Sequence, residues 1–181
     1  MAKKAPTETR EKLLQAAAQL VISSGNTQFT LEQVALEAHV SKGGLLHHFP
    51  TKLELLSGLM TQLTHTFEVR LQHALEAEKV AKRGRWARAY IRASFEPEPD
   101  EIELTSALAG VIANFPELID QLRQEFAFIE NCFAKDGLSE ARATLIRLAC
   151  DGLWFSELLG TEIIEEPRRS SLFNELMELT K

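Results

Sequence analysis

Two cysteines in 181 residues, Cys132 and Cys150, are too few for a disulfide framework and lack metal-site spacing. Both fall in helical patterns, where a buried thiol is ordinarily inert. Long apolar runs are missing too: every hydrophobic stretch is interrupted within a few residues, so no transmembrane helix is expected. The opening segment MAKKAPTETREK is basic but leads into no apolar core, unlike a secretory signal. Together these absences point to a cytoplasmic setting with no membrane partner. The chain also has no phosphate-binding glycine loop, no zinc-binding His/Glu motif and no nucleophile elbow. His65 and His73 stand too far apart on one helical pattern to share a metal ion. No catalytic residue, metal or cofactor is therefore expected.

What is present is ordinary for a folding domain: 45% hydrophobic and 25% charged residues. The net charge of −6 is unevenly spread. Residues 1–55 carry six Lys/Arg against five acids, whereas the remainder carries 14 basic and 21 acidic residues. An acidic body repels DNA unless its few cations are aimed at it, so charge alone does not argue for a nucleic-acid partner.

The periodicity predicts helices throughout, with no strand-like alternation. Leu13, Leu14, Ala17, Leu20 and Val21 mark a first helix to Ser24, and Gly25 stops it. Thr30 with Gln33 has capping-box spacing and opens a second. Ser41 can cap a short third, which Pro50 ends. Thr51 with Glu54 opens a fourth, whose seam from Leu55 to Leu75 persists to about Lys79. Further helices are expected over 85–95, 100–113, 116–135, 139–160 and beyond Pro167. The fold class is all-α with about nine helices. Residues 1–50 read as one domain and 51–181 as a second.

The segment Ser41–Phe49 is too short and too polar for a core helix, and its size suits a DNA groove. A helix, a tight turn and a second helix capped by Ser41 fit a helix-turn-helix. Thr30 and Lys52 sit at helix starts, where free N–H groups suit phosphate contacts. Lys42 can reach phosphate or guanine, and His47 and His48 can donate to base or phosphate. Gly43 and Gly44 remove side chains where backbone approaches DNA. Leu46 can meet a thymine methyl. For each of these residues the competing reading is a solvated surface position, and any one alone carries only modest weight.

The helix over 139–160 is apolar on two sides. Leu145, Leu148, Ala149, Gly152, Phe155, Ser156 and Leu159 form one stripe, and Ile146, Cys150, Leu153 and Trp154 the other. A second copy of the chain can supply the second burial, as can a wrapping by the chain itself. The expected homodimer interface comprises Leu145, Ala149, Gly152 and Ser156, with Leu172 and Leu176 of the last helix.

The run from Val40 to Leu56, VSKGGLLHHFPTKLELL, resembles the signature of tetracycline-repressor-type (TetR family) regulators. The first helix ending in Gly25 and the stretch Thr30–Ala35 fit the same pattern. In detail the resemblance covers residues 9–56. The chain departs from it at His39, Gly44 and Leu46, where the family usually has glycine, threonine and tyrosine. The resemblance implies a homodimer on a double-stranded operator, most simply a repressor, released by a small-molecule effector. It also implies an effector pocket between the long helix and those after it. Candidates are Leu63, Phe67, Arg70, Tyr90, Ser94, Val111, Phe115, Phe126, Ile129 and Trp154, with Arg92 and Asn114 as further polar groups. The set is mainly apolar, and so would be its ligand. An aromatic-rich apolar set is also what a helical core looks like, and core packing is the better reading for each residue singly. A competing reading is a helical protein–protein adaptor without effector-controlled DNA binding.

Overall fold

A computed structural model describes residues 6–24, 28–78, 83–96, 101, 104–105, 108, 114–159, 161 and 164–181. Among them are eight helices: α1 Pro6–Ser24, α2 Leu31–Glu37, α3 Lys42–His48, α4 Lys52–Ala77, α5 Arg85–Phe95, α6 Glu117–Ala134, α7 Glu140–Leu159 and α8 Arg168–Glu178. The described residues contain no strand. The helix expected over 100–113 falls mostly outside them, although Glu101, Leu104, Thr105 and Leu108 are helical. None of the described helices is long and apolar enough to cross a membrane.

The chain divides into two compact units. The first comprises residues 1–63 and 103–122. Its core is built from the inward stripe of α1 (Leu13, Leu14, Ala17, Val21), Val34 and Ala35 of α2, Leu45 of α3, and Leu55, Leu56 and Leu59 of α4. Phe29 and Phe49, from the segments flanking the two short helices, are buried with them. Seven residues make too short a helix to persist alone in water. α2 and α3 therefore hold their shape because these few apolar side chains are inserted into a core supplied by α1 and α4. At Gly58 of α4, a Cβ would stand 3.0 Å from the Phe49 ring and 3.1 Å from Leu14, so the glycine lets three elements close together. Ser57 Oγ donates to Gln121 Oε1 at 2.6 Å, while Gln121 Nε2 donates to Thr61 Oγ1 at 2.9 Å, fastening α6 to α4 within this unit.

The second unit comprises residues 64–102 and 123–181. Here α5 packs on α7 and α8. Ala87, Ala89, Tyr90, Ile91 and Ala93 bury one side of α5 among Leu71, Leu75, Ile129, Phe133, Ile146, Cys150 and Leu176. The start of α5 has no side-chain cap of its own, because Gly84 precedes it in a left-handed conformation (φ 76°). A Cβ there would lie 2.4 Å from the Thr180 carbonyl oxygen, so no other residue fits. The missing cap comes from elsewhere in the chain. Asp136 is 6% exposed, and its carboxylate accepts from the N–H groups of Trp86 and Ala87, both at 2.9 Å. Asp136 sits at the end of α6, immediately before Gly137, which has φ 77°.

Candidate nucleic-acid interface

The three helix starts expected in the first unit form by local hydrogen bonding. Thr30 Oγ1 accepts from Gln33 N–H at 3.2 Å, and Gln33 Oε1 accepts from Thr30 N–H at 2.7 Å, a reciprocal box opening α2. Ser41 has extended backbone (φ −66°, ψ 151°), and its Oγ accepts from Gly44 N–H at 3.1 Å to open α3. Thr51 and Glu54 exchange two bonds of 3.1 Å at the head of α4. Between α2 and α3 the chain reverses at His39, whose φ of 54° lies in the region that favours glycine. Val40 N–H then donates to Ala35 O at 2.9 Å, closing the turn.

This framework fixes what α3 presents. Leu45 is fully buried and Phe49 nearly so, which turns the opposite side of the helix outward. Lys42, Gly43, Leu46 and His47 are exposed. At ~100° per residue these four occupy one continuous arc of the helix. His48 is half-buried, its ring edge-on to that of His47 with centroids 5.3 Å apart. Open space lies where a Cβ on Gly43 would stand. A short helix with one buried anchor side and one exposed polar arc, preceded by a capped helix and a tight turn, is a helix-turn-helix reading element.

Two residues sit differently from the sequence expectation. Gly44 does not open the outer face: a Cβ there would meet Val40 Cγ1 at 3.0 Å and Ser41 Oγ at 3.2 Å, so the glycine makes room for the turn and the cap. Lys52 is half-buried. Its ammonium donates to the Phe29 carbonyl and lies 4.0 Å from the centre of the Phe29 ring, and burial lowers its pKa. Sequence reasoning also missed Glu32, whose carboxylate lies 2.6 Å from Lys42 Nζ. The hydrogen bond from Lys42, then one from its own backbone, holds the Glu32 carboxyl below the usual carboxylate range. Residues ten apart on different helices leave no periodic signal.

In the second unit the structure brings some of the effector candidates together. Phe67 and Phe133 each stand edge-on to Tyr90, with centroids 5.5 and 5.4 Å from it. The Tyr90 hydroxyl donates to Asp151 Oδ1 at 2.7 Å; burial raises the pKa of both groups. Burial also pushes the Cys150 thiol up to about 12, which makes it unreactive, against a lowering hydrogen bond with Ser94. Ile129 is buried, Ser94 and Trp154 are half-buried, and Phe126 is exposed. Arg70 is committed to structure: it pairs with Glu101 through two nitrogens and donates to the Ala93 carbonyl at 3.2 Å. Leu63 and Phe115 belong to the first unit, and Val111 lies outside the described residues.

The two stripes of α7 differ in how far the chain covers them. Ile146, Cys150 and Leu153 are buried by the chain itself. Leu145, Leu148 and Phe155 are 53%, 59% and 52% exposed. Beside them Gly152 is exposed with open space around it, while Ala149 and Ser156 are half-buried. Glu140, Ala141, Thr144, Leu145 and Leu148 line an open groove on this face. Leu172 is half-buried against the second unit's core and Leu176 is buried within it, so Leu176 has no surface left for a partner.

Comparisons with known proteins agree with this architecture at both ends of the chain. Residues 13–59 match the family described as bacterial regulatory proteins, tetR family, and residues 84–181 match the tetracyclin repressor-like C-terminal domain. The chain belongs to the TetR family, a non-enzymatic family of DNA-binding transcriptional regulators. It is similar to the nucleoid occlusion factor SlmA of Vibrio campbellii, with 32% identity over 132 residues, 72% of this chain and 67% of that protein. The HTH-type transcriptional regulator SrpR of Pseudomonas putida is 34% identical over 62 residues, 34% of this chain and 29% of that protein. Among solved structures, a TetR-family member from Streptomyces coelicolor superposes with a TM-score of 0.73 at 20% identity, covering 96% of this chain and 99% of that one. The multidrug binding protein EbrR, complexed with imidazole, gives 0.70 at 19% identity, with 96% and 90% covered.

Proposed function

We propose that the chain acts as a homodimeric repressor that binds a palindromic operator and is released by a small, mainly apolar molecule. The observation that carries the reading is the outward arc of α3, where Lys42, Gly43, Leu46 and His47 are exposed around a buried Leu45. In this reading Lys42 and His47 address base edges or phosphates, Leu46 a thymine methyl, and Thr30, Ser41 and Gly43 the backbone approach. His48 and Lys52 stand at the margin of that surface. Residues 1–50 serve DNA binding and 51–181 the effector and the partner copy, in the cytoplasm.

Support for the homodimer is the exposed apolar stripe Leu145–Leu148–Phe155, flanked by Ala149, Gly152 and Ser156, whose small side chains let a second α7 approach closely. Two α3 helices in the dimer would stand about 34–36 Å apart to enter successive major grooves. Phe67, Tyr90, Ser94, Ile129 and Trp154 are the effector contacts we assign within the second unit. EbrR, which shares the fold, has been crystallised with imidazole and with ethidium, in keeping with small organic effectors. An effector shifts the dimer only by binding one arrangement better than another.

The test is selection of duplexes from a random pool, followed by footprinting on the recovered sequence. The expected result is a protected palindrome with half-sites one helical turn apart. Recovery of no preferred sequence would favour the alternative, a helical protein–protein adaptor without effector-controlled DNA binding. The observation that keeps this alternative is the likeness to a nucleoid occlusion factor, a name that does not describe an effector-controlled regulator.

A further inference from the structure

The reading element carries no net charge. From Thr30 to Lys52 the formal charges are Glu32, Glu37, Lys42 and Lys52, which cancel with histidine neutral. Both lysines, moreover, are held by protein groups: Lys52 by the Phe29 carbonyl and Lys42 by Glu32. Lys42 occupies the first position of α3 and Glu32 the first turn of α2, so the ion pair bridges the two helices across the His39 turn. Both side chains are mostly exposed, 63% for Lys42 and 58% for Glu32. A pair this wet adds little to folding stability.

Non-specific affinity for a duplex comes almost wholly from cations that replace counterions on phosphates. A lysine already neutralised by a neighbouring carboxylate releases fewer counterions, and the carboxylate itself repels the strand. We infer that Glu32 is a specificity-determining residue: by pairing with Lys42 it weakens the pull of this cation on phosphates in general, so that a sequence offering a better acceptor to Lys42 gains over one offering phosphate alone. The acceptor class is the paired O6/N7 edge of guanine in the major groove, which a lysine can address. Glu32 acts through Lys42 and need not touch DNA. The inference rests on the DNA-reading role of α3.

The experiment compares wild type, Glu32→Gln, Lys42→Gln and the double variant. The probes are a duplex selected from a random pool by the wild-type protein and a scrambled duplex of the same composition, each titrated between 50 and 300 mM salt. Those concentrations span the range, roughly 50–200 mM, over which such contacts change affinity most visibly. Glu32→Gln is expected to raise affinity for the scrambled duplex roughly threefold or more, and to steepen the salt dependence by about 0.9 in log–log slope per half-site. The ratio of selected to scrambled affinity should fall. In the Lys42→Gln background the same substitution should change little, because the cation it would free is gone. An equal effect in both backgrounds would overturn the inference, since Glu32 would then act as a simple repulsive charge. So would a loss confined to the selected duplex, which would make Glu32 itself a base contact. A wild-type protein with no preference between the duplexes would overturn the underlying DNA-reading role instead. Unchanged urea midpoints across the four proteins would exclude misfolding as the cause.

Discussion

Asp136→Ala takes away the side-chain cap that α5 receives from the end of α6, and the structure allows its cost to be worked out. The Asp136 carboxylate is buried and accepts two 2.9 Å bonds, from Trp86 N–H and Ala87 N–H, at a helix start where Gly84 has nothing to offer. A hydrogen bond to a charged acceptor contributes about 1.5–3 kcal/mol, and a buried donor left unpaired costs about 1–3 kcal/mol. Loss of an ordinary N-cap costs about 0.5–2 kcal/mol, because the cap is exposed and water replaces it. Here water is largely excluded and two donors are orphaned, so the loss should be about 3–5 kcal/mol. For a chain of this length that corresponds to a fall in Tm of roughly 6–20 °C. Asp136→Asn keeps one acceptor oxygen but turns an amide toward donors, and should lose about half as much. Thermal and urea unfolding followed by far-UV circular dichroism would measure both. A loss below about 1 kcal/mol for Asp136→Ala, or an Asn variant as stable as wild type, would refute the capping argument.

Leu148→Glu places a charge in the middle of the exposed α7 stripe; it should convert a dimer to monomer in sedimentation equilibrium while leaving the fold intact. His39→Gly relieves the left-handed backbone at φ 54° and should stabilise by about 0.5–1 kcal/mol net of the added freedom of the unfolded chain, read from urea unfolding. Gly44→Thr, which restores the residue usual in the family, should destabilise by about 1 kcal/mol, because its Cβ meets Val40 and Ser41 Oγ and overpacks the cap. Enhanced stability in that variant would mean that Val40 and Ser41 give way to the added Cβ at no cost.

The helix starts were legible because each depends on residues three apart. Thr30 with Gln33, Ser41 with Gly44, and Thr51 with Glu54 all form the bonds their spacing implies. The long fourth helix was legible from its apolar seam, and runs from Lys52 to Ala77. Partnerships over long sequence distances were not. Nothing near Trp86 announces that Asp136 caps it fifty residues later, and nothing near Lys52 points back to Phe29. Periodicity found both apolar stripes of α7 but not which one the chain covers itself. It likewise cannot distinguish Leu176, enclosed by its own core, from a residue waiting for a partner.

Gly58 has a consequence for how the reading element can be moved. With no side chain there, the Phe49 ring at the end of α3 and Leu14 of α1 sit directly against the α4 backbone, and Phe49 is nearly fully buried. The contact is rigid because aromatic and backbone atoms have nowhere to retreat in a close-packed core. The end of α3 and the first two turns of α4 should therefore move together as one packed piece. A displacement of the first turns of α4 would then carry Lys42, Leu46 and His47 with it. Under the proposed function, control would then act on where the whole piece points and not by loosening α3.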